Sequence, residues 1–106
     1  MAVVRGRETI VDAEWRCFIV GREVVDASEY RRAGRPSFHR GAPPRVLDLV
    51  DAALARWSPA PVTCIDVASS SGHFGIVEAN CFNAARFYAA DAATVLAAVA
   101  AHVRSS

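Results

Sequence analysis

Val62-Thr63-Cys64-Ile65-Asp66-Val67-Ala68, then Ser69-Ser70-Ser71-Gly72-His73, then Phe74-Gly75-Ile76-Val77-Glu78-Ala79-Asn80, is the stretch whose reading decides the fold. Its outer segments are rich in β-branched and small apolar side chains, and the residues between them have turn chemistry. The reading is a β-hairpin. Side chains alternate along a strand, so Cys64, Asp66 and Ala68 share one face of the first strand, and Ile76, Glu78 and Asn80 one face of the second. With those faces brought together, Asp66 lies across from Glu78 or one pair away, at about 5 Å.

Two carboxylates that close repel unless a proton or cation sits between them. Acidic residues on a hairpin also serve simply as its solvated face, and spacing alone does not separate the two readings. Asp66 interrupts an apolar run that looks buried, and a buried carboxylate is rare unless it is paired or holds a metal. Asn80 adds a neutral oxygen on the face of Glu78. An acid, acid, amide set on two strands suits Mg²⁺ held against the phosphates of a nucleotide.

Outward from the hairpin, Trp15 to Val20 and Val24 to Tyr30 read as two more strands joined by Gly21-Arg22-Glu23. Arg31 to Arg45 carries five arginines, Gly34, Gly41 and three prolines without periodicity, and reads as a mobile loop suited either to clamping an anion or to lying in solvent. Pro43 and Pro44 open a helix whose apolar residues Val46, Leu47, Leu49, Val50, Ala53, Leu54 and Trp57 recur at helical spacing, and Ser58-Pro59-Ala60-Pro61 ends it. Asp91 caps a second helix through Val95, Leu96, Val99 and Val103. The expectation is an α+β domain, an antiparallel sheet with both helices packed on one face and the other face left for ligand.

The chain has 106 residues, enough for one small domain, with 53% hydrophobic and 22% charged residues. A net charge of +1 points to neither nucleic acid nor an anionic membrane. No apolar stretch is long enough to span a bilayer, and the first residues lack a signal-peptide pattern. Cys17, Cys64 and Cys81 are odd in number and widely spaced, which reads as reduced thiols in cytoplasm, with Cys81 beside the acidic pair. His39, His73 and His102 form no cluster by spacing, and no Ser, His, Asp arrangement emerges.

Glu78-Ala79-Asn80-Cys81-Phe82-Asn83-Ala84 followed by Phe87-Tyr88, with Asp66 upstream, resembles the C-terminal subdomain of the ATP-grasp ligases, which carries an Asp on one strand and Glu-x-Asn on the next. Glu14-Trp15-Arg16-Cys17-Phe18-Ile19-Val20, Gly21-Arg22-Glu23-Val24-Val25 and Tyr30-Arg31-Arg32 extend the resemblance over most of residues 14 to 103. It implies that Asp66 and Glu78 are ligands for Mg²⁺ or Mn²⁺, Glu78 bridging two ions and Asn80 completing the second site. It also implies that Arg16 is the catalytic strand arginine facing phosphate or an acyl phosphate, and that Arg31 and Arg32 meet the anions of bound ATP. Where the relatives continue with small residues after the second Asn, this chain has Ala85-Arg86.

The implied activity is transfer of the ATP γ-phosphate to a small carboxylate, giving an acyl phosphate that an amine or similar nucleophile attacks. All twelve basic residues are Arg, whereas the resemblance calls for phosphate-binding lysines on a lid subdomain. The expectation is therefore that residues 1–106 form a partial domain, without lid or N-terminal subdomain, that is inactive alone: the C-terminal piece of a longer enzyme, one half completed by a separate chain, or a remnant without activity. The competing expectation is a non-catalytic binding or assembly module that uses the arginine-rich segment for an acidic partner.

Overall fold

The computed structural model describes residues 11–57, 60–81 and 87–105. The elements are β1 (Ala13–Val20), β2 (Glu23–Arg32), β3 (Arg35–Arg40), α1 (Pro44–Arg56), β4 (Val62–Ser70), β5 (His73–Cys81) and α2 (Ala92–Ser105). The strands form one antiparallel sheet in the order β3-β2-β1-β4-β5. The α+β class and both expected hairpins are therefore present. The hairpin turns at Gly21-Arg22, Ala33-Gly34 and Ser71-Gly72 each have two residues with positive φ, the type I′ geometry whose twist matches that of paired strands.

Arg35 to Arg40 is a strand, contrary to the loop expected across Arg31 to Arg45. The Ala33-Gly34 turn folds the chain straight back onto β2, and β3 is an edge strand, where Pro36 removes no essential ladder hydrogen bond. Its side chains are almost all exposed, so no hydrophobic alternation announced it.

The helices lie on opposite faces of the sheet, which corrects the expectation of a single helical face. Val46, Val50 and Leu54 of α1, spaced one helical turn apart, pack on Trp15, Cys17, Ile19, Ala27, Ile65 and Val67. On α2, Val95 packs with Phe18, Cys64, Ala90, Phe87 and Val25. Cys17 and Phe18 are consecutive in β1 and point to opposite sides, so the two clusters are separated by the sheet itself. Both helices are needed because the central strands β1 and β4 are buried on both faces almost throughout, with Phe18 and Cys64 as apolar side chains on the α2 side. Full burial of each such side chain is worth about 1.5–3 kcal/mol.

Cap chemistry agrees with the sequence. Pro43 and Pro44 start α1 without a side-chain cap. At the start of α2, the Asp91 carboxylate accepts from the Ala93 N–H at 3.1 Å and from the Thr94 hydroxyl at 2.8 Å. Burial along α2 is narrower than its apolar residues suggested, since Leu96 and Val103 are exposed. His102 is half-buried and lies under the β1–β2 turn, where a Cβ on Gly21 would come within 3.3 Å of its ring. No helix among the described residues is long and apolar enough to cross a membrane.

Candidate functional site

Beyond Phe18 and Cys64 the α2 face of the sheet turns polar. Arg16 pairs in register with Ser28 of β2 on one side and Asp66 of β4 on the other, and Asp66 pairs in turn with Glu78 of β5. Directly paired residues share a face, so Ser28, Arg16, Asp66 and Glu78 form one row across four strands. The expected juxtaposition of Asp66 and Glu78 is therefore present.

Asp66 is only 2% exposed, and its charge is already matched. Arg16 donates from Nε to Oδ1 at 2.8 Å and from Nη2 to Oδ2 at 2.9 Å, a two-point contact that only a guanidinium makes. The cation that sequence reasoning required beside the two carboxylates is, in this structure, supplied by the neighbouring strand. The fork raises the Arg16 pKa further above its ordinary value, against the opposing effect of burial.

Two aromatic rings flank the pair, and a third stacks on one of them. The Arg16 guanidinium carbon lies 5.7 Å from the Tyr30 ring centroid and 5.3 Å from that of Tyr88. Those rings stack on each other at 5.0 Å, and Phe38 stacks on Tyr88 at 5.6 Å. The Tyr30 hydroxyl donates to Glu14 at 3.0 Å; its pKa is pushed up first by burial, then by the charges of Asp66 and Glu14. Tyr88 adopts a φ of 54°, uncommon for an aromatic residue. Its segment is tied to β2 by the Ala89 N–H to the Ser28 hydroxyl at 3.0 Å and the Asp91 N–H to Asp26 at 2.8 Å.

β-bulges assemble this cluster. The pairing of β1 with β2 slips between Glu14 and Trp15, leaving Tyr30 as the extra residue, and the pairing of β4 with β5 slips after Asp66, leaving Val77 extra. The second slip corrects the expectation that Ile76 and Glu78 share a face. Ile76 packs with the α1 core, whereas Glu78 stands in the row with Asp66. Asn80 pairs by its backbone with Cys64, and its side chain lies outside what the structure describes, as do the Cys81 side chain and Ala85-Arg86.

Arg31 and Arg32 lie within β2 rather than beyond its end, and both are engaged. Arg31 pairs with Glu14 at 3.0 Å, and Arg32 donates to Glu29 from Nε and Nη2. Arg40 of β3 likewise pairs with Asp26 at 3.1 Å. Cys17 and Cys64 are fully buried on opposite faces, and burial pushes the Cys17 thiol up to about 12, which makes it unreactive. Among the described residues, no three His, Cys, Asp or Glu side chains come together as a metal-binding group. The carboxylates of the expected ligand set are only two, Asp66 and Glu78. Each Asp66 oxygen has a second acceptor position beyond the one Arg16 uses, and Glu78 is exposed, so the donor set is compatible with a hard cation.

Tyr30, Tyr88 and Glu14 were not singled out by sequence reasoning as parts of the site. No spacing relates Tyr30 to Tyr88, and the bulge at Tyr30, which brings Arg31 opposite Glu14, has no signature in its flanking residues.

These features define an α+β domain with a buried Arg16–Asp66 ion pair on one face of its sheet. Residues 3–99 match the model of an ATP-grasp domain family, family 3 of its clade, and the chain belongs to that family. No curated protein and no solved structure matches it. Family membership associates the chain with ATP-dependent, ligase-type chemistry, in which ATP and Mg²⁺ are the usual cofactors and carboxylates the usual substrates.

Proposed function

We propose that this chain forms the metal-bearing wall of an ATP-dependent ligase that activates a small carboxylate as an acyl phosphate for attack by an amine or similar nucleophile. The observation that carries the reading is the row Arg16, Asp66, Glu78 on three adjacent strands. Asp66, Glu78 and Asn80 are the residues that would hold Mg²⁺ or Mn²⁺, which when bound supplies charge neutralisation at the phosphates of ATP. The contribution of this chain's residues is positioning. The central strands fix Asp66, Arg16 presents positive charge beside it, and the aromatic rings keep water from that side of the pair.

Arg31 and Arg32 would meet nucleotide anions only by exchanging Glu14 and Glu29 for them. The same internal pairing weakens the alternative of an arginine surface for an acidic partner, since Arg31, Arg32 and Arg40 already have carboxylate partners. The sequence contains no lysine, so the phosphate-binding lysines of a lid belong to a further part of the protein or to a separate chain, in the cytoplasm.

Titrating MgATP by calorimetry into the wild type, Asp66→Asn and Glu78→Gln tests the assignment. Each variant should lose the Mg²⁺-dependent part of nucleotide binding while keeping the wild-type circular dichroism spectrum. Wild-type binding by both variants would sink the ligand assignment.

A further inference from the structure

Asp66 is the most deeply buried carboxylate in the site, and both its oxygens lie within 2.9 Å of the nitrogens of Arg16. A second cation arriving there meets a carboxylate already neutralised, and a fixed positive charge at the same distance opposes it in a medium where charges are weakly screened. Arg16 is itself held in place. It faces the rings of Tyr30 and Tyr88, Tyr30 is anchored on Glu14, and Tyr88 is kept in a left-handed backbone conformation by the contacts of its segment with Ser28 and Asp26. Backbone of this kind persists only where surrounding contacts impose it, and it concentrates at functional sites.

We propose that Arg16 is the resident counter-ion of Asp66 and competes with the divalent cation for that carboxylate, with Tyr30 and Tyr88 as the positioning residues that set the strength of the competition. The inference rests on the metal-ligand reading of Asp66. Its consequence is that the protein binds a bare cation weakly and binds it more tightly when an anion, such as a nucleotide phosphate, draws the guanidinium away from Asp66.

The test is Mn²⁺ binding to the full chain without nucleotide, followed through the electron paramagnetic resonance signal of free Mn²⁺. Arg16→Met should bind Mn²⁺ about tenfold tighter than the wild type, the scale on which partners of a ligating side chain tune metal affinity. The gain should vanish in Arg16→Met/Asp66→Asn. Unchanged or weaker binding by a folded Arg16→Met overturns the competition.

Two measurements serve if Arg16→Met does not fold. Tyr88→Leu, which keeps the charge but frees the guanidinium, should bind Mn²⁺ several-fold tighter, whereas Tyr88→Phe should match the wild type. In the ¹⁵N-arginine spectrum of the wild type, the Arg16 Nε–H resonance should shift as Mg²⁺ is added; saturation with that resonance unmoved overturns the proposal. Asp66→Asn separates the two levels of the argument. If it binds Mn²⁺ like the wild type, the ligand reading itself fails. If it loses binding while Arg16→Met gains none, the ligand stands and the competition falls.

Discussion

The α1 face of the sheet is apolar from Trp15 through Ile65 to Leu54, whereas the α2 face is apolar only around Phe18, Cys64 and Val95 and gives way, two residues along β1, to Arg16 and its partners. The same strands build both faces. On the first, stability is a sum of many non-directional contacts, and each side chain contributes roughly in proportion to its buried area. On the second it depends on pairwise matching, because an ion left alone in the interior costs far more than the intact pair contributes. The α1 face also buries one carboxylate, Glu29, but on β2 beside Trp15, where Arg32 and Ser37 reach it, whereas Arg16 and Asp66 stand on the two central strands.

The largest expected effect separates these two regimes. Arg16→Ala should destabilise the protein by about 4 kcal/mol in urea unfolding, since it leaves Asp66 buried and unpaired. Arg16→Met/Asp66→Leu, which removes both charges at similar volume, should cost much less than that single change. A double variant as unstable as the sum of its singles would show that the pair is no more than ordinary packing.

On the α1 face, Leu54→Ala should cost about 3 kcal/mol, and Val46→Ala less. These positions are two helical turns apart, so the costs should add in the double variant to within about 0.5 kcal/mol. Strong coupling between them would blur the contrast between the faces.

Glu29 sharpens the comparison through pH. Its carboxyl is held below the ordinary value of 4.5, first by the hydrogen bond from Arg32, with a further one from Ser37 that outweighs part of the cost of burial. The folded value lies below the unfolded one. The stabilisation is therefore fully present above pH 4.5 and is lost as pH falls through the folded value. Glu29→Gln should flatten that acid limb in melting curves recorded from neutral pH downward. An unchanged limb would place the acid sensitivity elsewhere.

The smallest effect is expected at Leu96, exposed on α2. Leu96→Gln should change stability by no more than about 0.5 kcal/mol. A larger loss in dilute solution would show that this part of α2 is covered and that the second core extends beyond Val95.

By itself the sequence determined β1, β2, β4 and β5, because their apolar β-branched runs and the turn residues between them are local signals, and it determined both helices, because periodic apolar residues with Pro43, Pro44 and Asp91 at their starts are local too. It also brought Asp66 to within one pair of Glu78, although the register of the Ser71-Gly72 turn alone would set Asp66 against Val77, and the bulge at Val77 is what puts Glu78 opposite it. β3 was not legible, because an exposed edge strand carries no hydrophobic alternation. Three further matters were decided only by tertiary structure. The face each helix covers depends on a sheet whose central strands are buried on both sides, and alternation does not assign either side to a helix. The bulges at Tyr30 and Val77 change which side chains face together, and a one-residue slip has no compositional mark. The partner of Asp66 is Arg16, 50 residues away in the chain, because strand order puts β1 beside β4, and a guanidinium fork across two strands is a property of that neighbourhood alone.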